Sequence, residues 1–320
     1  MSTVNDTKFQ FAVFLLTGLH GQEDFHLWIS IPFCFMYVIS ILGNSVILFI
    51  IKTDPSLHEP MYIFLSMLAI TELGISITTM PTILGIFLFN SREISLDACL
   101  AQLFFIHSLQ CIESSVLLLM AFDRFIAICN PLRYASILTL PRIPKMGLVC
   151  VLRGVAIILP LPLFLHRFQY CRANVLSHSY CLFQEVMKMA CSDISVNSIY
   201  GLFTKLLTLG LDSLLIFLSY VMILKTVLSI VAIFSLPTKD ARLKALETCS
   251  SHLCAILSFY IPGLFSSLTH RFGHNVPLYF HVLIVSVYLL VPPMLNPIIY
   301  GVRTKQIQDR LLWLFTHKGI

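Results

Sequence analysis

The stretch Met120-Ala-Phe-Asp123-Arg124-Phe125-Ile-Ala-Ile-Cys-Asn-Pro131-Leu-Arg133-Tyr134 sets an acid and an arginine side by side at the end of a long apolar segment. Charged groups at the edge of hydrocarbon are costly to hold and mark function rather than packing. Upstream, Ala98 to Phe122 has Glu113 as its single carboxylate. The segment is long and apolar enough to cross a bilayer, which takes about 20 residues. Downstream, Pro131 ends the segment and Arg133 begins a basic connection. A membrane helix with a charged inner end is the reading that organises the rest of the chain.

Composition agrees. The chain is 57% hydrophobic and 12% charged, with mean hydropathy +0.86, against roughly a quarter charged in soluble domains. Further apolar segments run from Leu27 to Ile51, Pro60 to Asn90 with Glu72, and Gly147 to Leu165 broken by Arg153. Others are Tyr200 to Leu224 with Lys205 and Asp212, Thr248 to Thr269 with His252, and Val276 to Val302 with His281. The expectation is an all-α membrane protein, a seven-transmembrane helix bundle with a short amphipathic C-terminal helix. The division is an N-terminal segment 1–26, a bundle over 27–302 with a long loop at about 167–196, and a tail over 303–320.

Lys and Arg in short loops set orientation. With the N-terminus outside, Lys52, Arg133, Arg142, Lys145, Lys239, Arg242 and Lys244 fall inside, joined by Arg303, Lys305, Arg310 and Lys318 of the tail. The outer side holds fewer: Lys8, Arg92, Arg167, Arg172, Lys188 and Arg271. This predicts a multi-pass plasma-membrane protein with membrane lipid as its surroundings. No basic stripe on a soluble face argues for nucleic acid. Residues 1–26 lack the basic start and cleavage site of a signal peptide, and Asn5-Asp6-Thr7 is a glycosylation sequon at Asn5. Of ten cysteines, Cys99, Cys171, Cys181 and Cys191 fall on the outer, oxidising side, where disulfides form; spacing alone leaves three connectivities open. Cys249, His252 and Cys254 resemble a metal site only in text, because Cys249 and Cys254 point apart on a helix. No metalloprotease, phosphate-loop or dinucleotide motif is present, so no catalytic residue is expected.

Beside the Asp123-Arg124 stretch, five motifs stand in order, each at a helix end: Gly43-Asn44; Pro60-Met-Tyr-Ile-Phe-Leu-Ser66-Met-Leu-Ala69; Ser219-Tyr220; Lys244-Ala-Leu-Glu-Thr248-Cys249-Ser-Ser-His252; and Pro292-Pro-Met-Leu-Asn296-Pro297-Ile-Ile-Tyr300. Together they resemble an odorant receptor of the rhodopsin-like G-protein-coupled receptor superfamily. Phe104-Phe-Ile-His107, His178-Ser-Tyr-Cys181, Gln184 and His270-Arg271-Phe-Gly273 resemble the class I, or fish-like, group. Two departures stand out. Phe125 replaces the usual tyrosine after the arginine, and Glu72 replaces the usual aspartate of the second helix.

The resemblance implies disulfides Cys99–Cys181 and Cys171–Cys191. It also implies a ligand that is a small polar odorant, in this group commonly a carboxylic acid. Arg271, just beyond the sixth helix, has a guanidinium fork that matches a carboxylate; the alternative is a solvated loop arginine. Tyr260, Leu264, Ser267 and Arg271 are read as one helical face. His107, Gln110, Cys111 and Ser114 form a polar stripe expected to face the interior; the alternative for His107 is a satisfied interior histidine. Gln184 would be held over the bundle by the disulfide, and Ile158, Leu161 and Asn197 match pocket positions of related receptors. Asp123, Arg124, Phe125, Tyr220, Lys244, His252, Asn296, Pro297 and Tyr300 are expected to carry the switch and the contact with a heterotrimeric G protein of the stimulatory, olfactory type that raises cyclic AMP. Glu72 and Glu113 need a shared proton or a sodium ion, since two buried carboxylates cannot both stay charged and unpaired. The rival from another class is a membrane transporter of small organic acids, which would show inverted repeats and broken helices in matching halves.

Overall fold

The structure, a computed structural model, describes residues 13–18, 26–170, 174–233, 239–272 and 278–317; within these, the side chains at 26, 230–248, 267–279, 281, 303, 314, 315 and 317 lie outside the description. Seven described segments are long and apolar enough to cross a membrane. The first three are single helices: α1 (His26–Thr53), α2 (Pro60–Phe89) and α3 (Leu96–Cys129). Helix α4 (Pro131–Ile137) follows on the inner side. The fourth span is interrupted at a proline into α5 (Arg142–Ile158) and α6 (Pro160–His166). A short helix α7 (Phe183–Lys188) lies in the outer loop. The fifth span is α8 (Ser195–Lys205), a π-helical stretch Leu206–Leu211, and α9 (Asp212–Ile233). Helices α10 (Lys239–Phe272) and α11 (Leu278–Arg303) complete the seven, and α12 (Lys305–His317) follows.

The chain chose helices because a lipid-facing backbone must satisfy its own hydrogen bonds. The outer surfaces are correspondingly apolar: Trp28, Phe35, Ile77, Phe217 and Leu228 are all exposed. The inner faces gather into clusters, one around Leu65, Leu68, Met120 and Phe259 and another around Leu103, Leu161, Cys181 and Phe183 beneath the outer loop. Helix α12 seats the buried Ile307 against the bundle while the polar Gln308 and Asp309 stay exposed, the amphipathic pattern the sequence predicted. Arg310 lies 3.5 Å from Asp54 on the connection between α1 and α2 and stacks 4.3 Å from the Trp313 ring.

One feature the helical periodicities did not predict is a small sheet on the outer side. Strand β1 (Val13–Leu16) pairs antiparallel with β2 (Glu93–Ser95) and parallel with β3 (Val175–Leu176). Phe14 and Leu16 are buried by it, so the N-terminal segment is stitched to the first and second outer loops.

Cys99 and Cys181 are joined, with Cα atoms 5.5 Å apart. Gln102, one turn along α3, donates to Thr78 O at 3.2 Å and to Thr82 Oγ1 at 2.7 Å. Its Oε1 accepts from the Cys181 backbone N–H at 3.0 Å. The outer loop is thus fixed to α3 covalently and by a side chain anchored on α2. Cys191 is disulfide-bonded as well; its expected partner Cys171 lies outside the described residues, as does Asn5. Cys99→Ser and Cys181→Ser should each remove about 2–4 kcal/mol of constraint and sharply lower surface display, measured by antibody staining of intact cells; display equal to the parent would contradict this role.

Candidate functional site

Below the outer loop lies a cavity of about 110 Å³. Helix α3 supplies Ile106, His107, Gln110, Cys111 and Ser114, and the fourth span supplies Ile158 and Leu161. The loop roofs it with Tyr180, Leu182, Phe183 and Gln184. The fifth span adds Gly201, Thr204, Lys205, Thr208 and Leu209; α10 and α11 close it with Phe259, Gly263, Ser266, Val285 and Tyr288. A mostly apolar wall with a few convergent polar groups is the usual form of a small-molecule site. Gly201 is required at the roof: a Cβ there would stand 2.7 Å from a ring carbon of Phe183, so the loop reaches the helix only because that side chain is missing.

Six of the expected ligand residues come together here: His107, Gln110, Cys111, Ile158, Leu161 and Gln184. Asn197 is buried but does not line the cavity. Leu264 is 45% exposed on the outside of the bundle and is corrected as a lining residue. The face of α10 that does line it is Phe259, Gly263 and Ser266, one position out of phase with the expected face, which is about 100° of helix rotation. Ser267 and Arg271 fall on α10, but their side chains lie outside the described residues. The sequence reading had noted Lys205 only as a charge inside a span; the structure places it in the cavity wall. The rule that singled out Glu113 would have found it, since a lysine in an apolar span faces the interior or a polar cavity.

Tyr260 lies under the cavity floor rather than in its wall. Its hydroxyl is 2.8 Å from Ser114 Oγ, which also lies 2.7 Å from Asp212 Oδ2. The carboxylate only accepts, so the single Ser114 hydrogen points to Asp212 and Tyr260 donates to Ser114. Asp212 in turn takes a bidentate pair from Arg153, Nη1 to Oδ2 at 2.8 Å and Nη2 to Oδ1 at 2.9 Å. Arg153 also donates to Ser115 Oγ at 2.6 Å and to Leu207 O at 3.2 Å. The π-helical turn makes this fit, because a widened turn leaves carbonyls without their usual partners: Leu207 O takes Arg153, and Thr208 O stands 3.1 Å from Ser114 Oγ as an alternative acceptor for its hydrogen. One polar network therefore joins α3, α5, α9 and α10 directly beneath the cavity.

Deeper, Glu72 and Glu113 are both buried. Asn296 donates to Glu72 Oε1. Glu72 Oε2, Glu113 Oε1 and Asn296 Oδ1 have no hydrogen-bond partner among the described residues. Asn44 donates to Ser40 O and Pro293 O, each at 3.0 Å, and Gly43 lets Pro297 approach so closely that a Cβ would stand 2.7 Å from it. Three orphaned oxygens, with two carboxyl groups among them, suit a hard monovalent cation or a shared proton. Tyr300 is buried nearby, its hydroxyl also unpartnered.

At the inner end Arg124 pairs with Asp123, and Tyr134 of α4 donates to Asp123 Oδ1 at 2.8 Å. Burial, and then the neighbouring Asp123 carboxylate, push the Tyr134 hydroxyl well above its ordinary range, so it remains a donor. Phe125 is half-buried. Tyr220 Oη meets His252 Nδ1 at 2.6 Å, tying α9 to α10. The Lys244 side chain lies outside the described residues.

The Arg153–Asp212 pair gives a sharp expectation. Arg153→Met or Asp212→Leu alone should cost about 3–5 kcal/mol by leaving its partner's charge buried, and the double substitution less than either. Thermal stability of the detergent-solubilised protein measures this; additive losses would show that the pair is not coupled.

Comparison with known proteins completes the picture. The family model described as "Olfactory receptor" matches residues 33–318. Human olfactory receptor 51G2 is 58% identical over 306 residues, covering 96% of this chain and 96% of the relative. Human olfactory receptor 51E1 is 52% identical over 302 residues, covering 94% and 93%. Among solved structures, squid rhodopsin superposes with a TM-score of 0.74 at 18% identity, covering 92% of this chain and 82% of that one; at that identity the likeness shows the fold alone. The transporter alternative is set aside, because the family and the fold are those of receptors. The chain belongs to the olfactory receptor family.

Proposed function

We propose that this olfactory receptor binds a small carboxylic acid in the cavity beneath its outer loop and activates a stimulatory, olfactory-type G protein that raises cyclic AMP. The observation that carries the ligand class is the wall itself: His107, Gln110, Gln184 and the cationic Lys205 converge on a small space otherwise lined by apolar side chains. An acid fixes its head on a cation or a hydrogen-bond donor, and the apolar wall selects its chain at about 0.8 kcal/mol per methylene. Arg271, at the outer end of α10, is proposed as the carboxylate clamp at the mouth.

The mechanism is a population shift: an agonist must bind the active arrangement better than the inactive one. Contacts with α10 at Phe259, Gly263 and Ser266 would bias that helix. Tyr260 reports the bias to Ser114 and Asp212, and the inner end of α10 moves with the Tyr220–His252 contact. Release of Arg124 from Asp123 then frees the guanidinium for the G protein. About 25 Å of α3 separates His107 from Arg124 at about 1.5 Å per residue, so ligand and coupling layers should fail separately. Arg271→Ala should lose acid binding and keep ligand-independent cyclic AMP. Arg124→Ala should keep acid binding and lose most cyclic AMP output. Binding and cyclic AMP at matched surface display test both; normal signalling by Arg124→Ala, or undiminished acid binding by Arg271→Ala, would refute this division.

We further propose that Glu72, Glu113 and Asn296 hold a sodium ion in the resting state, whose positive charge would offset the two carboxylates. Replacing sodium by a large organic cation should raise basal cyclic AMP in the parent, and Glu113→Gln should abolish that sodium dependence. A sodium response unchanged by Glu113→Gln would leave a shared proton as the remedy.

A further inference from the structure

Helix α4 (Pro131–Ile137) lies on the inner side and has no fully buried residue. Tyr134 and Ile137 are half-buried, and the other positions are exposed. A helix this short does not hold itself together in water, so side-chain bonds define it. Tyr134 ties it to α3 by donating to Asp123 Oδ1 at 2.8 Å. The others close its C-terminal end, where the last carbonyls lack partners within the helix. Ser136 Oγ donates to Arg133 O at 2.8 Å. Arg142 Nη1 reaches back to Ser136 O at 2.8 Å and to Ile137 O at 3.2 Å. Ser136 is therefore an exposed hydroxyl at the point where the helix is fastened. Arg133 stands three positions before it, also exposed, and Ile137 follows it. A serine preceded at that spacing by arginine is the pattern that arginine-directed serine kinases select.

We propose that Ser136 is a phosphorylation site for an arginine-directed serine kinase, and that its phosphate unwinds α4 by drawing Arg142 off the helix end, so that Tyr134 leaves Asp123. In the transfer, Ser136 Oγ attacks the γ-phosphorus of ATP. The new O–P bond forms as the bond to the leaving ADP oxygen breaks, and the hydroxyl hydrogen departs as a proton. Ser136 then has no hydrogen for Arg133 O. The phosphate brings about two negative charges at pH 7 to the C-terminal end of a helix, where anions are disfavoured. It also offers Arg142 an acceptor that matches the guanidinium fork better than two carbonyls do. All the bonds that close the helix end are lost or outcompeted together. Asp123, without the Tyr134 hydroxyl, is left to Arg124. The pair tightens and, resting on the coupling reading above, cyclic AMP output falls.

The test treats the purified full-length receptor with ATP and the catalytic subunit of cyclic-AMP-dependent protein kinase, an arginine-directed serine kinase. Peptide mass spectrometry should place the phosphate on Ser136. Arg133→Ala should sharply slow its incorporation, and Ser136→Ala should leave the 131–142 segment unmodified. Backbone amides over 131–138 should exchange hydrogen about tenfold faster in the phosphorylated protein, and Arg142→Ala should speed that exchange with no phosphate present. Phosphate found only elsewhere, or incorporation indifferent to Arg133→Ala, overturns the site. Unchanged exchange over 131–138 in fully phosphorylated protein overturns the unwinding. In cells, at matched surface display, ligand-independent cyclic AMP should be lower in Ser136→Asp than in Ser136→Ala; equal or reversed output overturns the effect on coupling. A parent receptor with no cyclic AMP output at all overturns the coupling reading instead, and the site and the unwinding are then decided by the phosphate and the exchange.

Discussion

An ion pair inside hydrocarbon, Arg153 with Asp212, is what the outer half of this receptor is arranged around. Neither residue is tolerable alone at that depth. Their bidentate contact needs α5 and α9 at a fixed separation and rotation, and it uses both carboxylate oxygens. The remaining guanidinium hydrogens and the remaining carboxylate capacity recruit Ser115, Leu207 O and Ser114. The π-helical turn between Lys205 and Asp212 follows from this demand, since it turns backbone carbonyls toward the arginine and the serine instead of along the helix. Everything above the pair, including the cavity floor, inherits its position.

A floor of this kind suits a switch. Ser114 faces the cavity on one side and bonds both Asp212 and Tyr260 on the other. Tyr260 belongs to α10, the helix that also holds His252 against Tyr220 near the inner end. The one Ser114 hydrogen has two acceptors in reach, Asp212 Oδ2 and Thr208 O, so a small displacement of α10 exchanges or breaks a bond rather than stretching it. Further in, the arrangement changes character: around Glu72 and Glu113 the oxygens outnumber the hydrogens, and a cation or proton is needed to balance them. Among the described residues the bundle thus holds a hydrogen-bonded network beneath the cavity and a cluster of unpartnered oxygens between it and Arg124.

Much of this was legible in the sequence. The seven spans follow from length and hydropathy, the orientation from Lys and Arg in short loops, and the family from motifs such as those holding Asn44, Arg124 and Asn296. The polar stripe of α3 was readable because a helix repeats its faces regularly. The same arithmetic failed on α10. Tyr260 and Leu264 were assigned to the cavity face, yet Gly263 and Ser266 occupy it and Leu264 faces outward. In an apolar membrane helix the inward and outward faces are both hydrophobic, so rotation has no strong signature in sequence.

The sequence by itself determined that this chain crosses a membrane seven times, that an acid–arginine pair, Asp123 with Arg124, stands at the end of the third span, that Arg153, Lys205 and Asp212 fall inside apolar segments, and that the carboxyls of Glu72 and Glu113 cannot both stay charged and unpaired. Only the tertiary structure decided which partners: Arg153 with Asp212 across two helices, Asn296 with Glu72, and Lys205 with the cavity wall. The reason is physical. The cost of burying a charge is a property of one residue and its segment, and is visible locally. The bond that offsets it depends on the rotation and depth of a second helix, which packing fixes only after all seven have come together.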